Sequence, residues 1–285
     1  MKRNKLAFPL RRFALCFGLA CSLLCLAGGV VMSVAPASDG YSRADSLMAL
    51  FQVPQNFYNA RPNLIERPEA LKPFYECAKD KNKPLRVLHL GDSHIFAKSY
   101  PNAVAEVMKS EWSGMVSDTV SRLSYEIIAK NGATMRRWLH PENLDSIARM
   151  NPHLVIISFG TNECHSLKYD AQLHMNDIKS AFKDLRAVCP EACFVVTAPP
   201  GAYLKGQPNP MTEHCVSVLR RFAKEHNLAF WNLYEIVGGS YAPQNYIDTE
   251  IWSRDRVHFT AEGYALLGQL LGEALLTARR SVLKK

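Results

Sequence analysis

The sequence lacks the features that mark several protein classes. It has no low-complexity tract, internal repeat or heptad array, and its 16 prolines and 15 glycines are spread along the chain. Collagen-like and predominantly disordered chains are thereby excluded. No Gly-rich phosphate-binding loop is present, and the nine histidines show no ligand spacing such as His-Glu-x-x-His. Neither a cofactor nor a metal centre is expected. A basic stripe is also missing. Of the 34 Lys and Arg residues, five (Lys2, Arg3, Lys5, Arg11 and Arg12) precede the first acidic residue, leaving 29 against 26 acidic residues. The net charge of +8 is therefore concentrated at the N-terminus, and no nucleic-acid partner is expected.

What the chain has is length and apolar material: 285 residues, 48% hydrophobic, enough for one compact domain with appendages. The basic cluster is followed by an uncharged apolar run from Phe13 to Val34, 22 residues long, sufficient to cross the roughly 30 Å hydrocarbon core as a helix. It reads as a retained membrane anchor or, with Ala35-Pro36-Ala37 as a small-residue cleavage site, as a signal peptide. The run is longer than the roughly 7–15 residues of a signal-peptide core. A lipoprotein site at Cys21 is a weaker reading, because only eight residues of the run precede it. In each case the basic residues stay cytoplasmic and the remainder is exported, to the periplasm or cell envelope. Five cysteines (Cys77, Cys164, Cys189, Cys193, Cys215) follow this segment. The number is odd, and a local Cys189–Cys193 disulfide and unpaired buried thiols are both open.

The organisation expected is an export segment at 1–37, a stalk and helical lead-in at 38–83 without strand-like runs, and a main domain at 84–285. From Leu85 onward, short apolar runs alternate with longer amphipathic stretches. The runs are Leu85–Leu90, Tyr125–Ala129, Leu154–Phe159, Phe194–Ala198 and Leu228–Leu233. Helices are expected near 98–112, 135–148, 171–187, 211–226 and 261–280. This pattern predicts an α/β fold, a three-layer α/β/α sandwich around five parallel strands covered on both faces.

Ligands of open parallel sheets sit beyond the carboxyl ends of the strands. The residues there are Gly91-Asp92-Ser93-His94, Asn131-Gly132 and Gly160-Thr161-Asn162-Glu163, with Asp255-Arg256-Val257-His258 before the last helix. Ser93 would stand on a tight strand-to-helix turn that Gly91 permits. His258 can act as its base, with Asp255 three positions earlier holding the ring. Oxyanion donors would be the backbone N–H groups of Ser93 and Gly132, where glycine suits close backbone approach, and the amide of Asn162. Asp92 reads as a turn stabiliser and Glu163 as structural, having no partner carboxylate. His94 either contacts substrate or packs behind the nucleophile. Arg136 and Arg137 either face an anionic substrate or line a solvated helix, the latter being preferred. Loops at 199–210 and 238–252 are expected to set specificity.

These four blocks resemble those of the SGNH (GDSL-like) hydrolases, a family of serine esterases and lipases with a flavodoxin-like fold. Ser93, Gly132, Asn162 and His258 match its signature positions in order, over roughly residues 84–280. The leucine usual after the serine is replaced by His94, a Gly-Asp-Ser-His form similar to the peptidoglycan O-acetylesterase branch. The resemblance implies a serine esterase of the cell envelope that removes O-acetyl groups from peptidoglycan or another polysaccharide. Its partner would be an acylated carbohydrate, with no protein partner and no metal. An O-acetyltransferase or lipase with the same triad, or a non-catalytic glycan-binding protein, are the alternatives.

Overall fold

The structure, a computed structural model, describes residues 53–54, 56–117 and 120–284. The expected export segment, with its run from Phe13 to Val34, lies outside the described residues. Among the described residues no helix is long and apolar enough to cross a membrane.

In chain order, strand β1 (Ile65–Glu66), a 3-10 turn (Pro68–Leu71) and helix α1 (Lys72–Cys77) lead into β2 (Leu85–Gly91), α2 (Ser93–Phe96) and α3 (Ser99–Trp112). A hairpin of β3 (Met115–Ser117) and β4 (Val120–Ser121) precedes β5 (Leu123–Ala129), α4 (Met135–Trp138) and α5 (Pro141–Met150). Next come β6 (Leu154–Ser158), α6 (Thr161–Cys164), α7 (Ala171–Val188) and β7 (Cys193–Thr197). After a hairpin of β8 (Tyr203–Leu204) and β9 (Gln207–Pro208) follow α8 (Met211–Glu225), β10 (Ala229–Trp231), α9 (Leu233–Ile236), α10 (Ala242–Asp248) and α11 (Ala261–Leu283).

The central sheet has the order β1-β10-β7-β6-β2-β5. All five expected strands are present and mutually parallel. A sixth, β1, adds to β10 in antiparallel sense through Ile65↔Trp231. Two residues are too few to leave a period in the sequence, which is why the lead-in shows no strand-like run. The expected helix at 135–148 is two helices. Pro141 removes a backbone donor and forces His140 into extended geometry, so α4 ends before it and α5 begins at it.

The alternating side chains of the strands feed two cores. Leu85, Val87, Leu154, Ile156 and Val195 pack on one face with α3, α11 and the lead-in residues Phe57, Leu71, Phe74 and Tyr75. Leu88, Leu90, Val155, Ile157 and Val196 pack on the other with α7 and α8. Each large side chain taken wholly out of water contributes about 1.5–3 kcal/mol. The five described cysteines are free, and Cys189 bonds the Leu185 carbonyl instead of Cys193.

Register sets up the site. Gly91 of β2 lies opposite Ala129 of β5 and Ser158 of β6, so three strands end at one level. The segments that follow them, 92–94, 130–134 and 159–163, emerge side by side.

Candidate active site

The turn after β2 is built from the inside out. Asp92 is buried and caps α2, its Oδ1 accepting the His94 N–H at 3.0 Å. Burial raises its carboxyl to about 8, so it acts through hydrogen bonds, as the sequence indicates. At Gly91 a Cβ would meet Ile95 Cβ at 2.7 Å and the Ser158 carbonyl at 2.9 Å. Glycine is needed there for close approach rather than for an unusual φ. Ser93 is thus presented at the first residue of α2 with its hydroxyl toward a cleft of about 650 Å3.

Across that cleft lies the turn before α11. Asp255 Oδ1 accepts the N–H groups of Val257 (3.0 Å) and His258 (2.9 Å), while its Oδ2 receives His258 Nδ1 at 2.7 Å. His258 Nε2 stands 2.9 Å from Ser93 Oγ. Burial alone would raise the Asp255 carboxyl, but the hydrogen bonds from the His258 ring and the two N–H groups prevail and hold it at about 2. It stays ionised, fixes the proton on Nδ1 and leaves Nε2 free to accept from Ser93. The three side chains expected to act together are therefore brought together, in hydrogen-bonding order.

Gly132 lines the same cleft. Its φ is +69°, yet a Cβ there would meet nothing within 4 Å. The left-handed backbone favours glycine there, and no protein atom crowds the position. Among the described residues, no hydrogen bond occupies the N–H of Ser93 or of Gly132. Asn162 donates one amide hydrogen to the Ala133 carbonyl at 2.9 Å, which locks the side chain and leaves its second N–H for the cleft. Glu163 explains how these loops hold together. Its two oxygens accept the N–H groups of Met135 (3.0 Å) and Gly160 (2.9 Å), tying α4 to the start of α6. Burial moves its carboxyl up to about 7.

His94 does not reach the cleft. It is buried, and its ring nitrogens meet the hydroxyls of Tyr264 and Thr161, each at 3.1 Å. Burial, followed by the neighbouring His258, lowers it to about 3, so it remains neutral. Its ring lies 5.5 Å from that of His258, tilted by 44°, and packs behind the pair of His258 and Ser93. His89 is likewise enclosed, between Tyr125 and Ser158 hydroxyls at 2.8 Å. Among the described residues no group of three or more His, Cys, Asp or Glu side chains is arranged to hold a metal ion.

Sequence reasoning missed Phe96, His165 and Tyr264, which also line the cleft. Phe96 is half exposed there, on the outer side of the nucleophile turn; its place directly after the turn was the available signal. Conversely, no residue of loops 199–210 or 238–252 lines the cleft. The first is drawn off into the β8–β9 hairpin, and Tyr246 is buried with its hydroxyl on the Pro200 carbonyl.

Similarity to known proteins follows the same blocks. Residues 89–266 match the GDSL-like lipase/acylhydrolase family. Among solved structures, a peptidoglycan O-acetylesterase aligns with a TM-score of 0.65 and 15% identity, over 75% of this chain and 96% of that one. An acetyl xylan esterase aligns with a TM-score of 0.53 and 18% identity, over 68% and 99%. A two-domain esterase active on acetylated mannans aligns with a TM-score of 0.56 and 15% identity, over 76% of this chain and 57% of that one. At such identities these likenesses establish the fold. No curated protein matches the chain. With the family match spanning most of the sheet and both halves of the cleft, the chain belongs to the GDSL-like lipase/acylhydrolase (SGNH hydrolase) family of ester-cleaving enzymes.

Proposed function

We propose that the protein is a serine esterase of the cell envelope that removes O-acetyl groups from peptidoglycan or another polysaccharide. The observation that carries this is the unbroken chain Asp255 Oδ2, His258 and Ser93 Oγ, with separations of 2.7 and 2.9 Å, beside unoccupied backbone donors. The ester carbonyl carbon would sit at Ser93 Oγ. As Oγ attacks, its proton passes to His258 Nε2, and the imidazolium is stabilised by ionised Asp255. Negative charge gathers on the former carbonyl oxygen, which the N–H groups of Ser93 and Gly132 and the free amide hydrogen of Asn162 would receive. Collapse expels the sugar hydroxyl, which takes the proton back from His258. Water, deprotonated by the same nitrogen, then attacks the acetyl-serine, and on collapse His258 returns that proton to Ser93 Oγ as acetate leaves.

The glycan assignment is supported by the resemblance of Gly91-Asp92-Ser93-His94 to the O-acetylesterase branch and by the sheet-wide likeness to an esterase of peptidoglycan. The envelope location rests on the basic cluster and the uncharged run Phe13–Val34.

The test compares the purified full-length chain with Ser93→Ala, both shown folded by circular dichroism. Acetate release is measured from O-acetylated peptidoglycan and acetylated xylan, beside hydrolysis of a long-chain ester. We expect acetate from a glycan with the wild type and a loss of about 10⁴-fold or more with Ser93→Ala. Cleavage of the long-chain ester alone would make the protein a lipase. Acetate transfer to an added sugar in place of hydrolysis would make it an acetyltransferase.

A further inference from the structure

The cleft at Ser93 is lined by no Lys, Arg, Asp or Glu side chain. Asn162, however, also lines a second cavity of about 280 Å3, and this one is charged: Arg136 and Arg137 of α4 and Lys168 stand around it. A substrate whose acyl group lies at Ser93 can therefore extend past Asn162 toward three cationic side chains, which share the cavity wall with Glu163, Asp170 and Asp177. We propose that this second cavity is a subsite for a carboxylate carried on the acylated glycan next to the ester that is cleaved. The proposal rests on the esterase reading above and names the class of its substrate: an acidic glycan.

The lining cations are available for such a ligand. Elsewhere Arg67, Arg220, Arg221 and Arg279 face carboxylates, and Arg86, Arg122 and Arg186 hold backbone carbonyls. Among the described residues the side chains of Arg136, Arg137 and Lys168 take part in no ion pair or hydrogen bond; for Lys168 it is the backbone N–H that is engaged, on Ser166 Oγ. The acids at the same cavity are partly engaged. Glu163 gives both oxygens to backbone N–H groups, and burial leaves it only partly ionised near neutral pH. Asp170 caps α7 through the N–H groups of Gln172 and Leu173 at 2.8 and 2.9 Å. Among the described residues the Asp177 carboxylate accepts no hydrogen bond, and Asp170 Oδ2 is likewise free. Three cations thus face two ionised acids, Asp170 and Asp177, and the partly protonated Glu163, a local excess of at most about one positive charge carried by side chains without partners. Leu173, exposed on the same wall, offers an apolar surface to the stem of the ligand.

Position strengthens the argument. Glu163 anchors both α4, which bears the two arginines, and α6, which bears Asn162. The charged group would be read at a fixed displacement from the oxyanion donor, and guanidinium suits a carboxylate because its paired N–H groups match two oxygens.

Two sources could supply the carboxylate, a uronic acid of the glycan chain or a peptide stem attached to it, and the test separates them. Acetate release by the full-length chain is followed with O-acetylated polygalacturonate and with stem-bearing O-acetylated peptidoglycan, each before and after its carboxylates are amidated. We expect amidation to raise KM about tenfold with kcat little changed, the scale of two or three partly exposed ion pairs. The polymer that shows the effect identifies the source. The double variant Arg136→Glu/Arg137→Glu should lose about tenfold more kcat/KM on the acidic polymer than on its amidated form, and Lys168→Glu should lose in the same sense. The wild-type KM on the acidic polymer should rise with ionic strength. Equal turnover of acidic and amidated polymers, or equal losses on both in the variants, would overturn the subsite while leaving the esterase intact. No acetate from any polymer, with the variants and wild type folded, would overturn both.

Discussion

Ser93 and the Asp255–His258 pair meet across one cleft, yet the two sides are held by different kinds of structure. Around Ser93, Asp92, His94 and Ile95 are all buried, and the turn is wedged between the ends of β2 and β6. On the other side, the Asp255 side chain is 52% exposed and that of His258 39%. That turn is shaped by its own hydrogen bonds, by the Trp252–Phe259 bridge and by the bond from Tyr203 N–H to the Arg256 carbonyl. On the function we propose, the nucleophile Ser93 is positioned by the core and the base His258 by a carboxylate. Damage on the first side should therefore appear in stability, and damage on the second in rate.

The sharpest way to break this contrast is Asp255→Asn. Its oxygen can still accept the Val257 and His258 N–H groups, so the turn survives, but its amide cannot accept from His258 Nδ1. We expect kcat for ester hydrolysis to fall by about 10³–10⁴-fold, with a melting temperature close to wild type by calorimetry. A large loss of stability would show that the turn depends on more than local bonds. Gly132→Ala comes next. The left-handed φ of +69° resists a side chain, so the N–H should turn away from the oxyanion and the rate should fall about 10²-fold. Steady-state kinetics with a small acetyl ester reads this directly.

On the nucleophile side, Gly91→Ala forces a methyl group against Ile95 and the Ser158 carbonyl. We expect about 1–3 kcal/mol of destabilisation in urea titrations, larger than that of any change at Asp255. A further effect concerns pH. Burial raises Asp92 to about 8 and Glu163 to about 7, above the value near 4 that carboxylates have in the unfolded chain. The native state then holds protons that the unfolded state has released, so stability is full below about pH 4 and is lost as pH rises through 7 to 8. The melting temperature should decline between pH 5 and 8, and Glu163→Gln should show a shallower decline from a lower start, since one backbone N–H loses its acceptor. A melting temperature that climbs over this range would refute the buried carboxyls as its source.

The same contrast explains what could be read from sequence. Asp255 and His258 are three residues apart, and Ser93 and Gly132 directly follow apolar runs, so spacing alone places them. The wedge at Gly91, the lock of Asn162 on Ala133 and the bridge of Glu163 between α4 and α6 are contacts between distant segments, which no local period records. Strand β1 escaped notice because two residues carry no alternation. That Gly132 also takes a left-handed backbone angle is a property no spacing shows. Arg136 and Arg137 read as a solvated helix face because the cavity they line is made jointly with Lys168 and α7.

The central claim, that Ser93 is acylated with His258 and Asp255 as its partners, is met most directly by trapping the intermediate. The full-length chain would be mixed with a small acetyl ester, quenched in acid within the first turnover and digested for mass spectrometry. The account predicts one acetyl group on the peptide carrying Ser93, its formation slowed in Asp255→Asn and absent in Ser93→Ala. An acetyl group on another residue, or undiminished turnover by Ser93→Ala, would contradict it.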